Sequence, residues 1–204
     1  MTDKKSSKTE INVKSLPFNI AEPAALGLLG LAVAALVLGA ADLGLTDAAN
    51  KSLMIPWILF FGATSQLIAG VMEFKRNNVF GATVFTTYAM TMYSIAVTLI
   101  IAVFGPGTHN INHYAYGLIA VLIFSIIATV ASTMTNKALF SILIAVDIAV
   151  IALLPHYLLG FSAQPAGIFL ILVSILSFYT AAAILINTMA GKTILPLGKP
   201  LWKP

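Results

Sequence analysis

Six runs of apolar residues, each close to the twenty that a helix needs to cross a hydrocarbon layer, follow one another with only short polar or glycine- and proline-bearing connections between them. Backbone N–H and C=O groups find no water inside a bilayer, so runs of this kind fold as helices. Composition agrees. Of 204 residues, 59% are hydrophobic and 9% charged, whereas soluble domains carry roughly 25% charged residues. About 120 residues lie within the runs, which leaves no room for a separate soluble domain. The expected fold is an all-α integral membrane protein of six transmembrane helices, with a tail at 1–21, a membrane domain at 22–190 and a second tail at 191–204.

Local punctuation sets the expected spans at 23–41, 56–72, 79–103, 114–133, 138–154 and 165–190. Pro23 suits a first helical turn, where a missing N–H costs nothing. Asn77-Asn78, Gly105-Pro106-Gly107 and Asn136-Lys137 mark turns, the last so tight that spans four and five must be antiparallel neighbours. Pro155-His156 is expected to end the fifth and shortest span, and Gly191 to cap the sixth and longest. With alternating sides, Lys4, Lys5, Lys8, Lys14, Lys75, Arg76, Lys137, Lys192, Lys199 and Lys203 share one face, and Lys51 stands alone on the other. The positive-inside rule then places both termini in the cytoplasm. The polar start precedes a run too long for a signal-peptide core and shows no convincing cleavage site, so the first span is expected to be retained.

The basic residues behind the formal net charge of +4 lie almost wholly on that one face, and nucleic-acid binding is not expected. Cysteine is absent, which excludes disulfides, thiolate metal sites and a cysteine nucleophile. His109, His113 and His156 fall at span ends without ligand spacing, so neither metal nor cofactor is expected.

Residues 60–88, FFGATSQLIAGVMEFKRNNVFGATVFTTY, hold the densest pattern. Gly62, Gln66, Ala69 and Glu73 recur every three or four residues and so share one helix face that is small, then polar, then acidic. Thr83, Thr87, Thr91, Ser94 and Thr98 repeat hydroxyls in the same way along the next span, beside Tyr88. Two polar stripes across a short turn suggest a lined path. This segment resembles the acetate uptake transporter family, the succinate–acetate permease type. Its matching positions are Phe61, Gly62, Gln66, Ala69, Gly70, Glu73, Phe74, Lys75, Arg76, Asn78, Phe80, Gly81, Phe85, Thr86 and Tyr88. The family's pattern at the head of the first span is matched by Pro23, Ala24, Leu26, Gly27, Leu28 and Gly30, and its ending resembles 187–198.

The resemblance implies a carrier or channel for acetate and similar short monocarboxylates, possible succinate transport, a homohexamer, and a plasma-membrane (inner-membrane) location. It also implies an apolar constriction at Leu31, Tyr88 and Val146, where the family usually has phenylalanine at the first position and leucine at the third. Substrate contacts are expected from Pro23, Leu26 and Gly27, at a helix start whose free N–H groups suit a carboxylate, and from Gln66, Thr87, Tyr88 and Thr91. Glu22 replaces the family's asparagine, and a carboxylate there would cap the helix and repel an incoming anion. Asp147, mid-span with no basic residue in any span to pair with, is either a proton carrier or a neutral acid bonded to a neighbouring helix. Glu22 and Glu73 are the other candidates for proton coupling. The expected function is proton-linked acetate uptake. Passive anion flow and a channel for a neutral solute such as urea, ammonia or water are the alternatives. Enzymatic chemistry is not expected: an intramembrane hydrolase needs a base beside a nucleophile, and no span places them.

Overall fold

The computed structural model describes residues 20–203, apart from the side chains of 48–50. Lys4, Lys5, Lys8 and Lys14 lie outside the described residues. Among the described residues, six helical stretches are long and apolar enough to cross a membrane. They are α1 (Ala24–Asp42), a second span (Lys51–Lys75) that ends in α2 (Gln66–Lys75), α3 (Val79–Phe104), α4 (Asn112–Ser132), α5 (Lys137–Leu159) and α6 (Gln164–Ala190). The described residues contain no strand.

Helix ends form where the chain supplies a partner for otherwise orphaned backbone groups. Asn78 starts α3 by accepting from the Gly81 N–H at 3.2 Å, and Asn136 starts α5 by accepting from Leu139 at 3.0 Å. Gly160 and Gly191 close α5 and α6 in the left-handed conformation, at φ 73° and 63°. The fifth span thus departs from expectation: it runs through Pro155 to Leu159 and is longer than α1. Proline near a carboxyl-terminal turn removes one donor without stopping the helix, and the stop is left to Gly160.

The second span hides an irregularity. Trp57–Ser65 is π-helical, a wider coil in which N–H groups reach back five residues. The Thr64 hydroxyl follows the same offset, donating to the Leu59 carbonyl at 2.9 Å, and it also lies 3.0 Å from the Tyr93 hydroxyl on α3.

The helices close into a ring in which α1 packs on α6, α6 on α5, α5 on α4, and the second span on both α1 and α3. The α1–α6 seam is tight because glycines meet there. A Cβ on Gly39 would stand 3.1 Å from the Gly167 carbonyl, and one on Gly167 would stand 3.0 Å from that of Gly39. Ser174 of α6 adds a hydrogen bond to the Ala32 carbonyl at 2.8 Å. Ala32, Ala35, Gly39 and Ala181 are all buried within this single chain. The α3–α4 seam is the thinnest of the ring.

Residues after Gly191 lie back against the bundle. Asn187 holds them, its oxygen accepting from Ile194 and Leu195 at 2.7 and 2.9 Å and its nitrogen donating to the Leu195 carbonyl at 2.8 Å. Further along, the Leu197 carbonyl accepts from Ala138 at 3.0 Å, and Leu201 and Trp202 donate to Thr133 at 2.8 and 3.1 Å. We call this the tail end of the bundle.

Candidate functional site

Two cavities penetrate the ring, one from each end. The far-end cavity, about 170 Å³, is lined by apolar side chains together with Asp42, Lys51, Thr91, Thr98, Tyr114 and Tyr157. The tail-end cavity, about 60 Å³, has Gln66, Glu73 and Asn78 as its polar members. Leu31 and Tyr88 line both, and Val146 lines the far-end side. The three belong to one buried cluster, so the wall between the cavities is an apolar ring.

A hydrogen-bonded chain fixes Tyr88 in that wall. Its hydroxyl lies 2.7 Å from Ser125 Oγ on α4, and Phe124 stacks edge-on against its ring at 5.6 Å. Ser125 in turn donates to one carboxylate oxygen of Asp147 on α5, and Thr129 donates to the other at 2.7 Å. Ser125 is fully buried, Asp147 is 8% exposed and Thr129 6%. Ser125 and Thr129 stand one turn apart on α4, so both face Asp147. The aspartate is held by these two hydroxyls rather than by a cation, the alternative open to a charge or dipole at membrane depth.

At the mouth of the tail-end cavity, Arg76 pairs with Glu22 at 2.5 Å and approaches Glu73 at 3.9 Å. Asn78 donates to Glu73 at 3.0 Å. Arg76 therefore offsets the charge of Glu22, and Glu22 itself accepts from the Ala24 N–H at 3.2 Å. The Leu26 and Gly27 N–H groups are taken by the Pro23 carbonyl at 3.0 and 3.2 Å. The first turn of α1 is thus largely satisfied by its own chain. Deeper in, the Gln66 amide nitrogen bonds the Gly62 carbonyl at 2.6 Å, while its oxygen is buried without a partner. An orphaned acceptor of this kind facing a cavity calls for water or a ligand.

The chain as a whole matches the model of the GPR1/FUN34/yaaH family over residues 8–197. It belongs to that family. Among relatives, the succinate-acetate/proton symporter SatP of Escherichia coli strain K12 is 25% identical over 193 residues, covering 88% of this chain and 96% of that protein. Acetate permease A of Emericella nidulans is 26% identical over 207 residues, covering 90% of this chain and 68% of that one. The structure of the bacterial acetate channel SatP superposes with a TM-score of 0.81 at 22% identity, over 88% of this chain and 99% of the other, and so shares the fold.

Within this family fold, the sequence-derived residues separate into groups. Leu31, Tyr88 and Val146 come together, as do Gln66 and Glu73, and Gly62, Gln66, Ala69 and Glu73 form one buried face. Leu26 is 42% exposed, Thr87 is half-buried outside both cavities, and Gly27 packs where a Cβ would meet the Phe85 ring at 2.5 Å. Two members of the hydroxyl stripe of α3 bond their own backbone: Thr91 donates to the Thr87 carbonyl and Ser94 to that of Met90, at 3.0 and 2.9 Å. Ser125, Thr129, Asp42 and Lys51 were not anticipated. Two hydroxyls at i and i+4 in an otherwise apolar span, facing a span with an aspartate, were the available signal for the first two. Among the described residues no cluster of three or more His, Cys, Asp or Glu offers a metal site.

Proposed function

We propose that this protein moves acetate and similar short carboxylates, extending to succinate, across the plasma membrane by proton-linked uptake. It does so as a transporter without enzymatic chemistry, with both termini in the cytoplasm and the tail-end cavity facing inward. The observation that carries this reading is a pair of cavities ending on opposite faces of one apolar wall at Leu31 and Tyr88. A narrow apolar ring resists a hydrated ion and admits a small molecule whose methyl end fits it. Relatives named for acetate and succinate supply the substrate class.

In this reading the carboxylate enters the outer cavity past Lys51 and Thr91, passes Leu31, Tyr88 and Val146, and leaves by Gln66, Glu73 and the head of α1 at Pro23 and Gly27. Asp147 takes the coupled proton, with Glu22 and Glu73 at the inner mouth as further proton sites. A homohexamer, each protomer with its own path, is the assembly proposed from the family resemblance. Passive acetate flow is the second reading, favoured by the fold shared with the bacterial acetate channel SatP. Uptake of labelled acetate into proteoliposomes, corrected for protein-free vesicles, decides between them. Accumulation above equilibrium under an inward proton gradient is the expected result, and equilibration alone selects the channel. No acetate flux in folded protein would overturn the function and leave a neutral-solute channel.

A further inference from the structure

The hydrogens in the chain Tyr88–Ser125–Asp147–Thr129 can be counted. An ionised carboxylate only accepts, so Ser125 and Thr129 each give it their single hydrogen. Ser125 then has only a lone pair to offer Tyr88, and the Tyr88 hydroxyl, 2.7 Å away, must donate to it. Three hydrogens serve three contacts, and none is left for either cavity. Protonating Asp147 adds a fourth hydrogen to the same three contacts. With that proton on the oxygen facing Ser125, Asp147 donates to Ser125, Ser125 donates to Tyr88, and the Tyr88 hydrogen is expelled from the chain. Tyr88 lines both cavities, so its freed O–H has the constriction to turn to.

We propose that Ser125 is the relay through which the protonation state of Asp147 sets the direction of the Tyr88 hydroxyl, making Tyr88 a hydrogen-bond donor to a carboxylate only when Asp147 is protonated. Tyr88 keeps its hydrogen throughout; only Asp147 gains or loses a proton. Ser125 is a positioning residue in this scheme. A proton on the Thr129 side leaves the Tyr88 end unchanged, because Thr129 can turn to a backbone carbonyl as Ser132 and Thr133 already do.

The surroundings isolate the switch. From α4 only the hydroxyls of Ser125 and Thr129 bond Asp147, and from α3 the titratable neighbour is Tyr88. The α6 helix has no charged residue, and its one tyrosine, Tyr179, bonds the Pro196 carbonyl at the tail end. On α5 itself Lys137 and His156 lie ten and nine residues away, about 15 and 13 Å along the axis. The proposal rests on the carboxylate-transport reading above and supplies its coupling step.

The test compares acetate flux in proteoliposomes at low and high pH, at fixed anion concentration, for wild type, Asp147→Asn, Ser125→Ala and Ser125→Thr. Infrared difference spectra of the same proteins, recorded without acetate, follow the carboxylic-acid C=O band that wild type shows and Asp147→Asn lacks. In the wild type, flux is expected to fall as that band disappears. Asp147→Asn loses the band and its low-to-high pH flux ratio collapses toward one. Ser125→Ala keeps a titrating band but its flux no longer follows it, and Ser125→Thr, which restores the hydroxyl, recovers the coupling. A Ser125→Ala protein whose flux still tracks the band overturns the relay. So does an Asp147→Asn protein with the wild-type pH profile. Absence of acetate flux in every sample, wild type included, instead removes the transport reading on which the relay stands.

Discussion

The α1–α6 seam and the α3–α4 seam solve opposite problems with different chemistry. Along α1–α6, glycine lets backbone meet backbone at Gly39 and Gly167, and the one side-chain bond across it, from Ser174 to Ala32, is short and buried. Between α3 and α4 the helices stand apart, and contact is made through Tyr88 reaching to Ser125 and Phe124. In lipid there is no hydrophobic drive to press helices together, so close seams need small residues, and open seams need polar groups to span them. The first leaves no room even for a Cβ between its backbones. The second is spanned by Tyr88, which shares with Leu31 the wall on which both cavities end.

The sharpest way to break this contrast is Gly167→Leu. Its Cβ would stand 2.9 Å from the Leu43 backbone nitrogen and 3.0 Å from the Gly39 carbonyl, atoms that cannot rotate away. Overpacking of this kind costs about 3 kcal/mol or more, and loss of the monodisperse peak in size-exclusion chromatography is expected. Next comes Tyr88→Ala, which removes a buried ring at a cost of about 3 kcal/mol. It also opens the wall, so butyrate flux should rise relative to acetate. Leu31→Phe, placed in the same wall, should shift that ratio the other way. Ser174→Ala leaves the glycine contacts intact and loses one hydrogen bond, for a destabilisation of about 1 kcal/mol in thermal unfolding. Smallest is Arg76→Gln at the half-exposed mouth, where an ion pair contributes at most about 1 kcal/mol and added salt should erase the difference.

Much of the architecture was legible because membrane helices announce themselves by length and by the residues that stop them. Gly191 and Asn136 did what their types do at helix ends. Pro155 misled, since proline interrupts a helix only where the lost donor and the ring clash outweigh what the continuing turns gain. In this chain the following Tyr157 still packs edge-on against Tyr114 at 5.0 Å. The face of Gly62, Gln66, Ala69 and Glu73 was readable from a period of three to four even though its start lies in a π-helical turn. The bonding of Thr91 and Ser94 on α3 was not, because spacing shows which side a hydroxyl is on but not that it will bond the carbonyl one turn back. Likewise Asp147 was conspicuous as a lone carboxylate, whereas its partners Ser125 and Thr129 are ordinary residues made informative only by the pairing of α4 with α5. The ion pair of Glu22 and Arg76 joins residues 54 positions apart in sequence, and nothing local to either predicts it.

The clasp formed by residues 187–202 has a consequence in time as well as in space. Thr133 and Ala138, on either side of the α4–α5 turn, receive their partners from Leu201, Trp202 and Leu197. Those partners leave the ribosome only after all six spans have been made. The turn is therefore finished by residues synthesised some sixty positions later, and it gains these bonds only once that segment has folded back across it. A nascent chain halted before this point would hold its helices without the knot that ties them off.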